Sequence, residues 1–428
     1  MTTSMNDPKG VLAPTVETLA CTGCGAVTND PWAWTCASCD DSIRRDVRYA
    51  PDAGRRMRAA LASRPFTMWR YAELLPVESP ANRASPLLVG GTPILEAHRL
   101  ARQLDVARVV VKDEARSFSG SLKDRASAVG VALALADGRR AIACASTGNA
   151  AASTATLAAA AGLPAVVLIP AKTAAGKLAQ LRACGATIGQ APISYDDVWD
   201  LCSALSDRAG WLNRNCAVNP YLVEGKKTAG LEIAEQLGDD ITDWVAVGVG
   251  DGCTLAGIGK GLMEAHDAGL IPRVPRLLGV QPDGVQPIVR AFQEGGEAYT
   301  ATPHSIADGL NVGRPRNALK ALAAVRATHG TLVAVPDEDI LAAMGWVARA
   351  SGLFVEPASA AAFAGVSAAR AAGVISPGES VCIVNTGTGL KDPSAVGRVP
   401  SLSTPVTLGT DVGDALAVLE RSLAAEQG

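Results

Sequence analysis

Ser117-Phe-Ser-Gly-Ser-Leu-Lys-Asp-Arg-Ala-Ser127 is the stretch on which the reading of this chain turns. Just upstream, Val109-Val110-Val111-Lys112 is an apolar run that reads as a buried strand. Downstream, residues 126–136 are almost entirely Ala, Val, Leu and Gly, and read as a helix laid against a sheet. Lys123 therefore falls in a turn from strand to helix. Unpaired backbone N–H groups and the positive end of the helix dipole there disfavour its charge. A lysine of lowered pKa is what bond formation with a carbonyl cofactor requires. Taken alone, a lysine beside Asp124 and Arg125 at a helix start is better read as solvated surface. The remainder of the chain decides between the two.

Short apolar runs at 108–112, 141–145, 165–169, 244–249, 276–280, 331–335 and 381–385 alternate with helical patterns. This predicts an α/β fold with mainly parallel sheets and helices on both faces. In such sheets ligands bind where loops leave the carboxyl ends of strands. Three more loops stand at such ends. Ser146-Thr147-Gly148-Asn149 offers hydroxyls and N–H groups suited to a carboxylate. Gly250-Asp251-Gly252-Cys253-Thr254 offers glycines that let backbone N–H groups approach a phosphate, without the Gly-Lys-Ser/Thr ending of a Walker loop. Asn385-Thr386-Gly387-Thr388-Gly389-Leu390-Lys391-Asp392 is the third. Residues 45–85 read as a linker with some helix, Gly90–Leu95 as a turn leading into a helix, and the end of the chain as a helix near Val412–Ala425.

At 428 residues the chain can bury a large core and hold two or three domains. A net charge of −3 with scattered Lys and Arg gives neither a nucleic-acid footprint nor a basic membrane patch. With no apolar span of membrane length and no signal-peptide core, a cytoplasmic protein is expected. Its ten cysteines are then thiols or metal ligands rather than disulfides. Cys21-Thr-Gly-Cys24 and Cys36-Ala-Ser-Cys39 form two knuckles that predict a four-thiolate cage for structural zinc, with no position left for water. Cys144, Cys184, Cys202, Cys216, Cys253 and Cys382 read as small core residues.

Thr92-Pro93, Ser121-Leu122-Lys123-Asp124-Arg125, Ser146–Asn149, Asn219-Pro220-Tyr221-Leu222-Val223-Glu224-Gly225-Lys226-Lys227-Thr228 and Thr386–Asp392 together resemble the threonine synthase family. That family lies within the fold type II, tryptophan-synthase-β-like pyridoxal phosphate enzymes, and the resemblance runs from about Trp69 to Pro393. It implies Lys123 as the cofactor-bearing catalytic lysine and Asn149 beside the cofactor's 3′-oxygen. It also implies Ser146, Thr147 and Asn149 on the substrate carboxylate, Gly250, Asp251, Gly252, Cys253 and Thr254 on the cofactor phosphate, and the Thr386 hydroxyl at the pyridine nitrogen. The implied architecture is two αβα domains plus an N-terminal zinc-ribbon-like segment. Its boundaries are 1–50 for the ribbon, 51–129 with 226–400 for the large domain, 130–225 for the small one and 401–428 for a tail. A homodimer acting on a small amino acid is implied too, and the scattered charge adds the expectation of no nucleic-acid or membrane partner.

Departures from the family pattern bear on the substrate. Where relatives carry Asn, Ser and Arg that bind the phosphate of O-phosphohomoserine, this chain has Cys216, Ala217 and Leu222. Leu122, Lys226 and Thr388 stand where phenylalanine, glutamine and histidine are usual. The expectation is elimination or replacement at the β or γ carbon of a related but different, possibly O-phosphorylated, amino acid. Arg116, Arg214, Lys226 and Lys227 are the candidate substitute anchors for an anion. An authentic threonine synthase with a displaced anchor is the first alternative, and a non-catalytic zinc-ribbon interaction protein on an enzyme scaffold the second. Asp308 and Glu356 fall in loops that face the cofactor in relatives, or cap helices, and His304 reads as a loop residue.

Overall fold

The computed structural model describes residues 10–39, 45–80, 87–171, 173, 178–296, 299–400 and 405–427. Of the expected segments 1–50 and 401–428, residues 1–9, 40–44, 401–404 and 428 lie outside the described residues. The strands are β1 (Val16–Cys21), β2 (Val27–Thr28), β3 (Arg45–Tyr49), β4 (Ile94–Glu96), β5 (Arg108–Asp113), β6 (Ile142–Ala145), β7 (Ala165–Pro170), β8 (Thr187–Ala191), β9 (Leu212–Asn213), β10 (Trp244–Gly248), β11 (Arg276–Pro282), β12 (Thr331–Val335) and β13 (Ser380–Asn385). Among them run α1 (Ala53–Ala60), α2 (His98–Gln103), α3 (Lys123–Ala136), α4 (Asn149–Ala160), α5 (Ala179–Ala183), α6 (Tyr195–Ala209), α7 (Tyr221–Leu237), α8 (Cys253–Asp267), α9 (Pro287–Glu294), α10 (Ala318–Ala327), α11 (Asp337–Ser351), α12 (Pro357–Ala371), α13 (Pro393–Val396) and α14 (Val412–Gln427).

Three sheets form among the described residues. The largest has the order β12-β11-β10-β13-β5-β4 and is parallel except for the β4–β5 pair. A second, fully parallel sheet has the order β8-β7-β6-β9. The third is a small antiparallel sheet, β2-β1-β3, that carries the paired cysteine knuckles. The large sheet explains the continuous apolar runs. On β5, Val110 packs with Val245, Val247 and Val384 against α8 and α10, while Val109 and Val111 face the opposite core with α11 and α12. A strand buried on both faces has no polar side to alternate with.

Two local expectations are corrected. Residues 45–49 form strand β3 rather than linker, because Val47 closes the core under the knuckles and pairs with Leu19. Ile94–Glu96 is an edge strand antiparallel to β5, and α2 starts only at His98. Helix α14 is present, with Val412, Leu416, Leu419 and Leu423 exposed along it. No helix among the described residues is long and apolar enough to cross a membrane.

Helix α7 is the spine of the molecule. It is buried along most of its length and lies between α3 and α8. Glycine permits the contact: a Cβ on Gly225 would sit 2.1 Å from the Arg125 carbonyl oxygen of α3, and one on Gly261 would sit 2.2 Å from Lys227 O. Gly225→Ala gains up to about 1 kcal/mol of helix propensity. It must also force two helices apart, at about 1–3 kcal/mol or more. A lower melting temperature is expected, and an unchanged or raised one would show that α3 and α7 can separate freely.

Candidate active site

Four helices begin at one place. α3 at Lys123, α4 at Asn149, α8 at Cys253 and α12 at Pro357 all start on the wall of a single cavity of about 490 Å³. Their free N–H groups and positive dipole ends make it a seat for anions.

The residues 123–125 leave α3 in three directions. Lys123 enters the cavity. Asp124 turns back to cap its own lead-in, accepting from the Ser119 N–H at 2.6 Å. Arg125 is wholly buried behind the helix, donating to Glu114 Oε1 at 2.7 Å and Glu232 Oε1 at 2.8 Å. The solvated-surface reading of this triplet is thereby excluded. The lead-in is further tied to the last motif, since Leu122 N–H donates to Thr386 O (2.9 Å) and Thr388 N–H to Gly120 O (3.2 Å).

Burial and the neighbouring charges of Lys226 and Arg214 bring the Lys123 amine down from 10.5 to about 8, against the opposing pull of Glu356. At pH 7 that raises the neutral fraction from about 1 in 3,000 to about 1 in 10. The amine is thus poised both to attack a carbonyl and to move a proton.

Ser146, Thr147, Asn149, Gly250, Asp251, Gly252, Cys253, Thr254 and Thr386 all line the same cavity. Ser146 Oγ accepts from the Gly148 N–H at 3.2 Å, shaping the turn that opens α4. Asn149 Nδ2 donates to both Glu356 oxygens at 2.9 and 2.8 Å. Gly252, at φ +89°, is the residue from which α8 departs, and a Cβ there would meet Asn317 O at 2.9 Å. The Asp251 carboxylate accepts from the Arg316 N–H at 2.6 Å, and burial pushes it up to about 6. That side chain fixes the 316–317 loop, leaving the loop's main chain as its feature suited to an anion.

Of the four proposed substitute anchors, Arg214 and Lys226 reach the cavity wall. The Arg214 guanidinium is braced by Ser127 Oγ (3.0 Å) and Lys123 O (3.3 Å). The Arg116 side chain is 74% exposed, and Lys227 is buried elsewhere against Glu224 at 2.6 Å. Leu222 is packed in the core away from the cavity, whereas Cys216 and Ala217 line it. The Cys253 thiol holds Cys216 well below the usual thiol range, with Lys226 and Arg214 assisting against burial. Asp308 and Glu356 also line the cavity; among its lining residues His304 does not figure.

Sequence reasoning missed the roof. Arg316 lies over the Trp199 ring at 3.8 Å, joining a loop of the large-sheet unit to α6 of the four-stranded unit. With Asn149–Glu356 and a 2.7 Å bond from Lys391 Nζ to Gln180 Oε1, it ties the two units across the cavity. The one available signal was the basic loop Gly313-Arg314-Pro315-Arg316, which carries no periodicity that would aim it inward.

Asn215 Nδ2 and Asn311 Oδ1 are buried on the cavity wall without a protein partner, as expected of a wall built to meet a polar ligand. With the neutral-tending Lys123 and the helix ends, the residues fit an aldehyde bearing a phosphate. In the knuckles the four Sγ atoms lie within 4.8 Å of one another. Cys21–Cys39 is 3.9 Å and Cys24–Cys36 is 3.7 Å. Four thiolates about 2.3 Å from a tetrahedral zinc stand about 3.8 Å apart, so this donor set fits that ion.

The family model described as pyridoxal-phosphate dependent enzyme matches residues 86–387, the greater part of the chain. Solved structures share the fold. The processed form of threonine deaminase isoform 2 from Solanum lycopersicum superposes with a TM-score of 0.64 at 22% identity, covering 75% of this chain and 89% of that one. Diaminopropionate ammonia lyase from Escherichia coli gives 0.64 at 17% identity, covering 83% and 93%. This is the class of pyridoxal phosphate enzymes of fold type II. Among curated proteins, threonine synthase of Methanosarcina acetivorans is 39% identical over 88% of this chain and 93% of its own length. That of Mycobacterium tuberculosis is 40% identical over 83% and 96%. The chain belongs to the threonine synthase family of pyridoxal phosphate-dependent enzymes, whose reaction is of the carbon–oxygen lyase type.

Proposed function

We propose that this enzyme performs threonine synthase chemistry on a small O-phosphorylated amino acid, O-phospho-L-homoserine being the first candidate. The observation that carries the reading is the pair Arg214 and Lys226 on the wall that Lys123 enters. Two cations beside a catalytic amine are the natural complement of a second phosphate, beyond the one on the cofactor.

Pyridoxal phosphate, when bound, supplies the electron sink for a carbanion at the substrate α carbon. Lys123 would hold the cofactor, and its amine is the base that would move protons at the α and then the β carbon of the substrate. Ser146, Thr147 and Asn149 orient the substrate carboxylate at the N-terminus of α4. The main chain of Gly250, Asp251, Gly252, Cys253 and Thr254 receives the cofactor phosphate at the N-terminus of α8. Thr386, on the cavity wall at the end of β13, would offer a hydroxyl rather than a carboxylate to the cofactor's ring nitrogen, a partner suited to a moderate electron sink and so to elimination over racemisation. Arg214 and Lys226 hold the leaving phosphate. The contacts across the cavity, Arg316–Trp199 and Asn149–Glu356, exclude water while charge develops. Cys21, Cys24, Cys36 and Cys39 hold a structural zinc, and the working form is a cytoplasmic homodimer.

A second reading keeps a different substrate, such as a phosphoserine- or threonine-like amino acid undergoing β-elimination. It is favoured by Cys216 and Ala217, which leave part of the wall without the polar groups of relatives. Phosphate release from O-phospho-L-homoserine and O-phospho-L-serine decides between them. A kcat/KM of about 10⁴ M⁻¹s⁻¹ or more on the former removes the second reading. Activity confined to the latter removes the first. Lys226→Ala is expected to raise KM for the phosphorylated substrate by about tenfold or more, as loss of a charged hydrogen bond implies.

A further inference from the structure

The cysteine ribbon grips the helix that supplies Lys226. β3 lies against one stripe of α7, formed by Tyr221, Glu224 and Lys227 at intervals of three. Tyr221 Oη donates to Pro31 O of the ribbon at 2.7 Å. Tyr49 Oη of β3 donates to Glu224 Oε2 at 2.9 Å, and its ring lies 4.1 Å from Lys227 Nζ. Lys260 of α8 bridges the joint, donating to Glu224 Oε1 and Val47 O, both at 2.8 Å. Lys226 is next on the helix to Lys227 but emerges on the cavity side.

The packing between these two faces is close. A Cβ on Gly257 of α8 would lie 3.0 Å from Lys226 Cβ and from Val223 O. With Gly225 against Arg125 O of α3 and Gly257 against Lys226 and Val223, α7 is closely packed on both sides, so the ribbon's bonds to Tyr221 and Glu224 and the Lys226 side chain belong to one tightly held helix.

We infer that Tyr49 and Tyr221 are positioning residues, through which the zinc-bearing ribbon sets the place of the Lys226 ammonium in the cavity. The inference rests on the reading of Lys226 as an anion anchor. The ribbon is then part of the substrate-binding apparatus at a distance, rather than a separate module with a partner of its own.

The test uses the full-length protein loaded with zinc and cofactor, with inorganic phosphate as probe and KM and kcat measured on the phosphorylated substrate. Tyr221→Phe and Tyr49→Phe each remove one hydroxyl and preserve volume. Each is expected to weaken phosphate binding and raise KM by about fivefold, the worth of one hydrogen bond. The value of kcat should stay within about twofold and the cofactor absorbance unchanged. Zinc removal by a chelator gives a second arm, in which phosphate affinity falls with zinc content and returns when zinc is restored. If the two variants melt earlier yet bind phosphate as before, while Lys226→Ala does not, positioning is overturned and the anchor stands. If Lys226→Ala leaves phosphate affinity unchanged, the anchor falls and this inference with it.

Discussion

Lys123→Ala protein supplied with pyridoxal phosphate will show no absorbance band at roughly 410–420 nm, the region of a protonated imine, and will turn over more than about 10³-fold more slowly than the parent. The size of the effect follows from geometry. Lys123 is the cavity-lining amine brought down to about 8 by burial and by Lys226 and Arg214. Burial is the larger cause of that shift, and the charges of Lys226 and Arg214 add to it. The same electrostatics predict how fast cofactor is taken up by protein freed of it. Only the unprotonated amine attacks an aldehyde, so the rate should rise with pH and level off above about 8 rather than near 10.5. A band retained in the alanine variant would assign the covalent link to another residue. A parent protein that never develops the band would favour the non-catalytic reading of the scaffold.

Glu232→Ala carries the largest expected loss of stability. Glu232 accepts from Lys112 Nζ at 2.7 Å, from Arg125 Nη1 at 2.8 Å and from the Gly91 N–H at 2.9 Å, with all three charged side chains at 0% exposure. Glu114 is the second carboxylate of the cluster, so two buried cations are balanced by two buried anions. Removing one anion leaves a net charge in the interior and a cost of about 3–5 kcal/mol. Burial works against ionisation of Glu232, but Arg125 and Lys112 outweigh it and hold the carboxyl at about 2, down from 4.5. The carboxylate's contribution is therefore complete above about pH 4.5 and fades as pH falls toward 2. Thermal melts of parent and variant at pH 7 and pH 3 should show the gap narrowing in acid. A gap that is small at pH 7 would mean that water reaches the cluster.

Much of this architecture could be read from the chain because it obeys the simplest pattern. β5, β6, β7, β10, β11, β12 and β13 are apolar on both faces, so each announces itself as an unbroken run. Besides β1, β2 and β3, three strands that lack that signature escaped notice. β8 reads Thr-Ile-Gly-Gln-Ala at a sheet edge, β9 has two residues, and β4 is a short antiparallel edge. The ten residues expected at the site stand on one cavity because each lies in the loop or first helical turn that follows a parallel strand, a position that local sequence can mark. Choosing among Arg116, Arg214, Lys226 and Lys227 lay beyond it. Two adjacent lysines of one helix point to opposite sides, and only the packing of α7 says which side is the cavity. Arg316 and Trp199 come together from segments more than a hundred residues apart, so neither marks the other in the sequence.

The position of β13 has a consequence for biogenesis. It is the last of the described strands to be made, yet it lies between β10 and β5 at the centre of the large sheet, and Thr386 immediately after it tethers the lead-in to Lys123. On the ribosome, earlier segments emerge with a gap where that strand belongs. With Lys123 as the proposed cofactor-bearing residue, the vitamin-derived aldehyde would be captured only after nearly the whole polypeptide has left the exit tunnel. Chains terminated before about residue 390 would reach the cell without a catalytic centre, and with two unpaired strand edges open to chaperones or to one another.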